Sequence, residues 1–176
     1  MKRLLLHCCC GPCASAVIER LRERYDLSLY WFNPNIQPED EYQRRLQAMK
    51  ALAHEFEMPL EIEAGAEAEW EAAVAGCEDE PEGGSRCRIC YAVRLAHAAR
   101  QAGRLGCEVV ASTLSISPHK RAEHINAAAA QTVCETGVDF LAEDFKTDGG
   151  FQRSVQLAKA LGLYRQRYCG CRFSKR

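Results

Sequence analysis

The chain has 176 residues, of which 47% are apolar and 27% are charged, and its formal net charge is −1. These values are typical of one globular domain with a full hydrophobic core, so we expect a single domain over residues 1–176. The near-neutral charge excludes a global basic field, so nucleic acid would have to be bound by a local basic patch.

The amino-terminal residues show neither a membrane segment nor a secretory signal. No apolar run approaches the roughly 20 residues that a membrane-spanning helix needs. The basic start is followed by only three apolar residues, Leu4, Leu5 and Leu6, whereas a signal-peptide core needs about 7–15. We therefore expect a cytoplasmic protein without a membrane partner, in a compartment where thiols stay reduced.

Apolar segments alternate with amphipathic segments from the start of the chain. The pattern predicts strands at 3–6, 27–32, 60–62, 108–113 and 139–142. It predicts helices at 14–25, 39–57, 67–76, 91–103, 122–136 and 152–161. Strands that alternate with helices predict an α/β fold, with a mainly parallel sheet and helices on both faces. In such a fold the functional loops follow the carboxyl ends of the strands.

Eight of the eleven cysteines lie in three tight clusters. The clusters are Cys8, Cys9, Cys10 and Cys13; Cys87 and Cys90; and Cys169 and Cys171. Clustered cysteines in a cytoplasmic chain indicate metal binding or catalysis, and a domain of this length needs no disulfide to fold. Four thiolates saturate a [4Fe–4S] cluster. The remaining thiols therefore indicate a second metal or a thiolate that faces the substrate.

Two other interpretations of the cysteines remain open. Cys10 and Cys13 have the C-x-x-C spacing of a thioredoxin-like dithiol, with Gly11 and Pro12 between them, which would make the protein a thiol–disulfide oxidoreductase. A four-thiolate zinc site would instead indicate a zinc-stabilised RNA-binding module.

The three clusters lie within segments that resemble one known family, the QueH-type epoxyqueuosine reductases. The matching segments are HCCCGPC at 7–13, FNPNIQP at 32–38, EGGSRCRICY at 82–91, SPHK at 117–120, EDFK at 143–146 and GLYRQRYCGC at 162–171. The resemblance extends over nearly the whole chain, and the segments are specific as a set.

The resemblance implies a fold similar to the PP-loop and HUP-like nucleotide-binding proteins, and an enzyme that reduces epoxyqueuosine to queuosine at the wobble position of tRNA. It also implies a [4Fe–4S] cluster with a second iron close by. For the cluster we predict the ligands Cys10, Cys87, Cys90 and Cys169. For the second metal we predict Cys9, Cys13 and Cys171.

The expected reaction also needs a proton donor and an RNA-binding surface. A nearby acid must protonate the departing oxygen, and the candidates are Tyr164, Glu41 and Asp144. Basic residues interleaved with aromatic ones are typical of surfaces that contact RNA backbone and bases. The candidates for tRNA contacts are Lys120, Arg121, Arg165, Arg167 and Arg172. The sequence does not identify the electron donor.

Overall fold

The computed structural model describes residues 1–175 and contains one five-stranded sheet. The strands are β1 (Arg3–Cys8), β2 (Asp26–Trp31), β3 (Leu60–Ile62), β4 (Val109–Ser112) and β5 (Asp139–Phe140). Their order across the sheet is β3-β2-β1-β4-β5, and every neighbouring pair is parallel. The predicted parallel α/β fold is therefore confirmed.

In the described residues 1–175, six α-helices connect and flank the strands. They are α1 (Gly11–Leu21), α2 (Glu39–Glu55), α3 (Glu67–Val74), α4 (Ser85–Arg104), α5 (Ala122–Val133) and α6 (Gly150–Ala160). Two short 3₁₀ turns cover Thr113–Ile116 and Arg172–Ser174. Across the described residues 1–175, every helix is too short or too polar to cross a bilayer.

The alternation of side chains along β1 divides the core between the two faces of the sheet. Leu4 and Leu6 are fully buried on the face covered by α1 and α2. Leu5 is fully buried on the opposite face, where it belongs to the same apolar cluster as Ala98 and Ala102 of α4. Because successive strand residues point to opposite faces, both faces need a helical cover, as the sequence predicts.

Helix α4 differs most from its predicted bounds, since it begins at Ser85 rather than at residue 91. Its first turns bury Cys87, Cys90 and Arg94 on one face. The spacing of these residues is helical, but their side chains are not the aliphatic ones by which an amphipathic helix is usually identified.

Helix α1 also begins earlier than predicted, at Gly11, directly after the cysteines that follow β1. Pro12 lies in its first turn, where the missing N–H of proline costs no hydrogen bond. A Cβ atom on Gly11 would lie 2.9 Å from the carbonyl oxygen of Ala48. Glycine therefore allows α1 to approach α2 closely at this position, which fixes the direction in which the cysteine loop leaves the sheet.

Candidate metal centre

The loops after β1 and β4 meet at the carboxyl edge of the sheet. These two central strands are neighbours, but the chain leads from β1 to β2 on one side of the pair and from β4 to β5 on the other, so the strand order reverses between them. The Thr113 hydroxyl accepts a hydrogen bond from the Cys9 N–H (3.1 Å) and donates one to the Cys9 sulfur (3.3 Å). Parallel α/β proteins bind their ligands at such a topological switch point.

Cys9, Cys10 and Cys13, here called the thiol trio, are brought together by the turn that starts α1. Their sulfur atoms all lie within 4.8 Å of one another, and within residues 1–175 they are the one set of three or more metal-ligating side chains this close together. The Cys10 sulfur caps the helix, since it accepts a hydrogen bond from the Cys13 N–H (3.4 Å).

The three thiols of the trio compete for protons. Hydrogen bonds from Cys10 and Cys13 lower the pKa of Cys9 well below its ordinary value, against the effect of burial, and the charges of Arg94 and Lys120 act in the same direction. Burial raises the pKa of Cys10 to about 12, and the hydrogen bonds with its two neighbours raise that of Cys13. A cation would relieve this competition by replacing the protons, so the trio fits a metal ion.

A second group of cysteines, here called the quartet, joins the start of α4 to the carboxyl terminus. It consists of Cys87, Cys90, Cys169 and Cys171. Cys90 and Cys171 belong to one buried cluster with Trp70. Burial raises the pKa of Cys90 to about 11 and also raises that of Cys87, and in both cases the nearby thiols Cys169 and Cys171 add to the effect.

The two thiol groups are neighbours, because Cys9 packs against the cluster that contains Cys87. All seven predicted cysteine ligands therefore belong to two adjacent groups. Which of them share a centre stays a prediction. Cys8 points instead into the core between β1 and the helices, where it is fully buried.

Arg45 of helix α2 holds the segment that carries Cys169. Its guanidinium donates to the carbonyls of Cys169 (2.9 Å) and Tyr168 (3.0 Å). The Gln37 N–H donates to the Gly170 carbonyl (2.9 Å), and Gly170 has a φ of +128°. A side chain would be strained there, and its Cβ would lie 3.1 Å from Arg45, so glycine is required between the two cysteines.

The start of α4 is fastened by Arg86, which is buried. Its Nη1 donates to the carbonyls of Cys77 (3.2 Å), Glu78 (2.8 Å) and Glu80 (2.5 Å). Its guanidinium carbon also lies 5.2 Å from the centre of the Phe173 ring. These contacts join the acidic loop before α4 to the carboxyl-terminal turn, and so hold the two halves of the quartet together.

A cavity of about 700 Å³ opens beside the two thiol groups, and Cys9, Cys13 and Cys169 form part of its wall. Among residues 1–175, the arginines and lysines that line it are Arg45, Arg94, Lys120, Arg165, Arg167 and Lys175. Gln166 enters the cavity and donates from its amide nitrogen to the Cys10 sulfur (3.0 Å). The volume is typical of a ligand site, and the charge would attract an anionic substrate.

Two of the three predicted acids form one chain of contacts at this cavity. The Tyr164 hydroxyl donates to Glu41 (2.7 Å), and Arg45 donates to the other oxygen of the same carboxylate (2.6 Å). The hydrogen bond to Glu41 raises the pKa of Tyr164, so its phenol stays protonated. Asp144 does not contribute to the cavity wall, and its carboxylate contacts the Lys146 ammonium at 2.8 Å.

Of the five predicted RNA-binding residues, three line the cavity and two do not. Lys120, Arg165 and Arg167 line the cavity. Burial disfavours the Lys120 ammonium, but the negative charge of Cys169 and Cys9 outweighs that effect and raises its pKa.

Arg121 and Arg172 lie outside the cavity wall, each paired with a carboxylate. Arg121 contacts Glu123 at 3.4 Å, and Arg172 contacts Glu71 at 2.7 Å. A role in RNA binding stays a prediction for all five basic residues.

Fold and site together define a PP-loop-like α/β protein with a basic, cysteine-lined cavity. A model of the family described as "Epoxyqueuosine reductase QueH" matches residues 4–176. The chain therefore belongs to this family of oxidoreductases of queuosine biosynthesis, as the resemblance predicted.

Curated relatives match the sequence of this protein over nearly its full length. The epoxyqueuosine reductase QueH of Streptococcus pyogenes serotype M1 is 38% identical, with 96% of this chain and 68% of the relative covered. The Thermotoga maritima protein of the same name is 35% identical, with 99% and 91% covered. The one from Dehalococcoides mccartyi is 38% identical, with 98% and 92% covered.

A solved structure shares the fold. It is the U34-tRNA thiolase NcsA from Methanococcus maripaludis with its [4Fe-4S] cluster, which matches with a TM-score of 0.62 at 11% identity. The match covers 99% of this chain and 62% of the thiolase chain. At this identity the similarity concerns the fold alone.

Proposed function

We propose that this protein is an iron–sulfur-dependent reductase, active as one domain over residues 1–176, that converts epoxyqueuosine to queuosine at the tRNA wobble position. This conversion is the last step of queuosine formation. The observation that carries the proposal is the meeting of seven cysteines from three distant segments beside a basic cavity, in a chain of the epoxyqueuosine reductase family. The [4Fe-4S] cluster of the thiolase with the same fold supports the choice of cofactor.

The spacing of the sulfur atoms favours a division of the cysteines between two centres. Thiolates that share one tetrahedral ion lie about 3.8 Å apart, because each metal–sulfur bond measures about 2.3 Å. The trio, with its sulfurs within 4.8 Å, suits such a single iron. In a [4Fe–4S] cluster each thiolate binds a different iron, and the quartet supplies the four thiols that such a cluster needs.

This division differs from the one predicted from sequence in two residues. Cys10 moves to the single iron, because its sulfur lies beside those of Cys9 and Cys13. Cys171 moves to the cluster, because it packs with Cys90. The membership of the seven ligands is unchanged.

The reaction breaks both carbon–oxygen bonds of the epoxide, forms a carbon–carbon double bond and releases the oxygen as water. It consumes two electrons and two protons. When bound, the proposed centres supply electrons one at a time, and an iron with an open position acts as a Lewis acid. Tyr164 lines the cavity and would give the first proton to the departing oxygen, while Glu41 orients the phenol through their 2.7 Å hydrogen bond. The second proton, and the proton that restores the phenol, would come from solvent.

The other proposed acid, Asp144, has less support from the geometry, because Lys146 binds its carboxylate away from the cavity wall. The Tyr164–Glu41 pair, in contrast, is supported by Arg45. Arg45 binds one oxygen of the Glu41 carboxylate and leaves the other oxygen free to accept the hydrogen bond from the phenol.

The substrate is proposed to enter as an unstacked nucleotide of the anticodon loop. Lys120, Arg165 and Arg167 would contact the phosphates on either side of the nucleotide, since they line the cavity. Arg121 and Arg172 would extend this surface only after they exchange their carboxylate partners for phosphate.

The rival proposal of a thiol–disulfide oxidoreductase has one observation in its favour, the closeness of Cys10 and Cys13. A dithiol could itself supply two electrons and two protons by closing a disulfide. Metal-free protein would then reduce epoxyqueuosine, whereas an iron–sulfur enzyme would not. A zinc-stabilised RNA-binding module would bind tRNA and give no turnover in either form.

The experiment that tests the proposal compares three cysteine variants after anaerobic reconstitution with iron and sulfide. The substrate is an anticodon stem-loop that carries epoxyqueuosine, dithionite is the reductant, and loss of one oxygen atom is followed by mass spectrometry. We expect Cys13→Ala to keep the cluster absorption and lose turnover, and Cys87→Ala to lose both. Cys134 is exposed and lies outside both thiol groups, so Cys134→Ser should keep both. Normal turnover by Cys13→Ala would refute the single-iron site.

A further inference from the structure

Within residues 1–175, three arginines are almost completely buried, and one of them has fewer hydrogen-bond partners than the other two. Arg45, Arg86 and Arg94 are each 2% exposed. Arg45 pairs with the Glu41 carboxylate and two carbonyls, and Arg86 donates to three carbonyls. Arg94 donates to a single neutral oxygen, Oδ1 of Asn33 (2.5 Å).

Among residues 1–175, no carboxylate forms a salt bridge with Arg94 that would balance its charge. Within residues 1–175 no salt bridge involves Arg94, and its buried Nε has no hydrogen-bond partner. A buried charge is costly unless hydrogen bonds or an opposite charge compensate it, and Arg94, unlike Arg86, has only one hydrogen bond. The position of Arg94 therefore indicates a nearby anion other than a carboxylate of residues 1–175.

The groups around Arg94 are the thiols of both metal-binding groups. Arg94 follows Cys90 by one turn on the buried face of α4, and it lines the same cavity as Cys9 and Cys169. Its charge favours the thiolate form of both Cys9 and Cys90. The Asn33 that holds Arg94 is itself fixed, since its amide nitrogen donates to the Cys8 carbonyl (2.9 Å).

The other basic groups near these thiols differ from Arg94. His7 is buried between Ser112 (2.9 Å) and the Phe32 carbonyl (3.1 Å), and burial lowers its pKa to about 3, so it carries no charge. Lys120 also lines the cavity, and the negative charge of Cys169 and Cys9 raises its pKa, but it lies in the loop before α5 and not on the helix that carries Cys87 and Cys90. Arg94 is thus a fixed positive charge near thiols of both groups, held on the same helix as Cys87 and Cys90.

We propose that Arg94 is the buried counter-charge of the thiolate-bound metal centres, which raises their reduction potential by stabilising the more negative, reduced state. The proposal rests on the proposed function, because it assumes the iron–sulfur centres. Charge near a cluster is one of the factors that set its potential. The role is electrostatic: Arg94 neither ligates a metal nor takes part in proton transfer.

The test compares Arg94→Met, Arg94→Lys and a matched control, Arg100→Met, in anaerobically reconstituted protein. Arg100 is exposed on the same helix, so its loss removes the same charge without touching the site. Midpoint potentials are measured by redox titration with electron paramagnetic resonance. Unfolding by urea is measured in parallel on the metal-free proteins.

We expect Arg94→Met to lower the midpoint potential of the centre. At a fixed applied potential, the ratio of reduced to oxidised centre should fall about tenfold, which corresponds to a shift of about 59 mV for one electron. Coulomb's law gives an effect of this size for a unit charge about 10 Å away at an effective dielectric constant of about 20. Arg94→Lys should recover most of the shift, and Arg100→Met should show none. A variant that holds too little metal for titration supports the proposal if its metal-free form unfolds like wild type.

Two results would overturn the proposal. One is an unchanged potential in Arg94→Met with full metal content. The other is a metal-free Arg94→Met protein that is destabilised as strongly as the reconstituted one, since Arg94 would then be a structural tie to Asn33. Failure of the proposed function is a separate result, because wild-type protein would then take up no iron–sulfur centre before any variant is compared.

Discussion

Replacement of Arg45 by leucine tests how the carboxyl-terminal cysteines are held. Arg45 lies 2.6 Å from Glu41, and the two side chains are only 2% and 8% exposed. Arg45→Leu leaves that carboxylate buried without its partner and also frees the carbonyls of Tyr168 and Cys169. Removal of one partner of a buried ion pair costs about 3–5 kcal/mol, so we expect a loss of that size in the free energy of unfolding.

The neighbouring Arg44 provides a matched control on the same helix. Its side chain is 62% exposed and lies 3.9 Å from Asp40, and such exposed pairs contribute at most about 1 kcal/mol. Urea unfolding of the metal-free proteins measures both changes without interference from metal loss. The reasoning is refuted if Arg45→Leu destabilises the protein no more than Arg44→Leu. Reconstituted Arg45→Leu should also hold less cluster, because Cys169 is no longer fixed.

Three other predictions follow from the site and its supports. Tyr164→Phe should lower turnover about 100-fold, the lower end of what a general acid contributes, at unchanged metal content, and normal turnover would exclude Tyr164 as the proton donor. Gly11→Ala places a Cβ 2.9 Å from the Ala48 carbonyl oxygen. Such overpacking should lower the free energy of unfolding in urea by about 1–3 kcal/mol, and an unchanged unfolding midpoint would contradict the close approach of α1 and α2. Replacement of Arg165 and Arg167 by glutamine should lower the salt dependence of RNA binding by about one unit of slope for each arginine that binds a phosphate, and an unchanged slope would show that neither side chain does so.

The fold could be predicted from sequence because its strands and most of its helices follow simple patterns. β1 contains the apolar run Leu4, Leu5 and Leu6, as expected for a strand that is buried on both faces. The start of α4 escaped prediction because its buried face consists of cysteines and arginines, with Cys87, Cys90 and Arg94 in place of aliphatic residues. The pattern by which helices are identified depends on those aliphatic residues.

The site could be predicted only in part, because its cysteines are clustered in sequence and its supporting residues are not. The cysteines can be recognised as ligands from their close spacing in the sequence. Arg45, in contrast, contacts Cys169, which lies 124 positions away in the chain. Arg94 and Gln166 escaped prediction for the same reason, since long-range partners leave no local pattern. Charged residues are also expected on the surface, so a buried arginine can be identified only once the fold is known.

Iron and acid-labile sulfide, measured per chain in anaerobically reconstituted protein, test the central claim most directly. A [4Fe–4S] cluster on the quartet and a single iron on the trio together require about five iron atoms and about four sulfides per chain. We expect these values, together with reduction of epoxyqueuosine to queuosine in an anticodon stem-loop. Stoichiometric zinc without labile sulfide, or equal turnover by metal-free protein, would contradict the account.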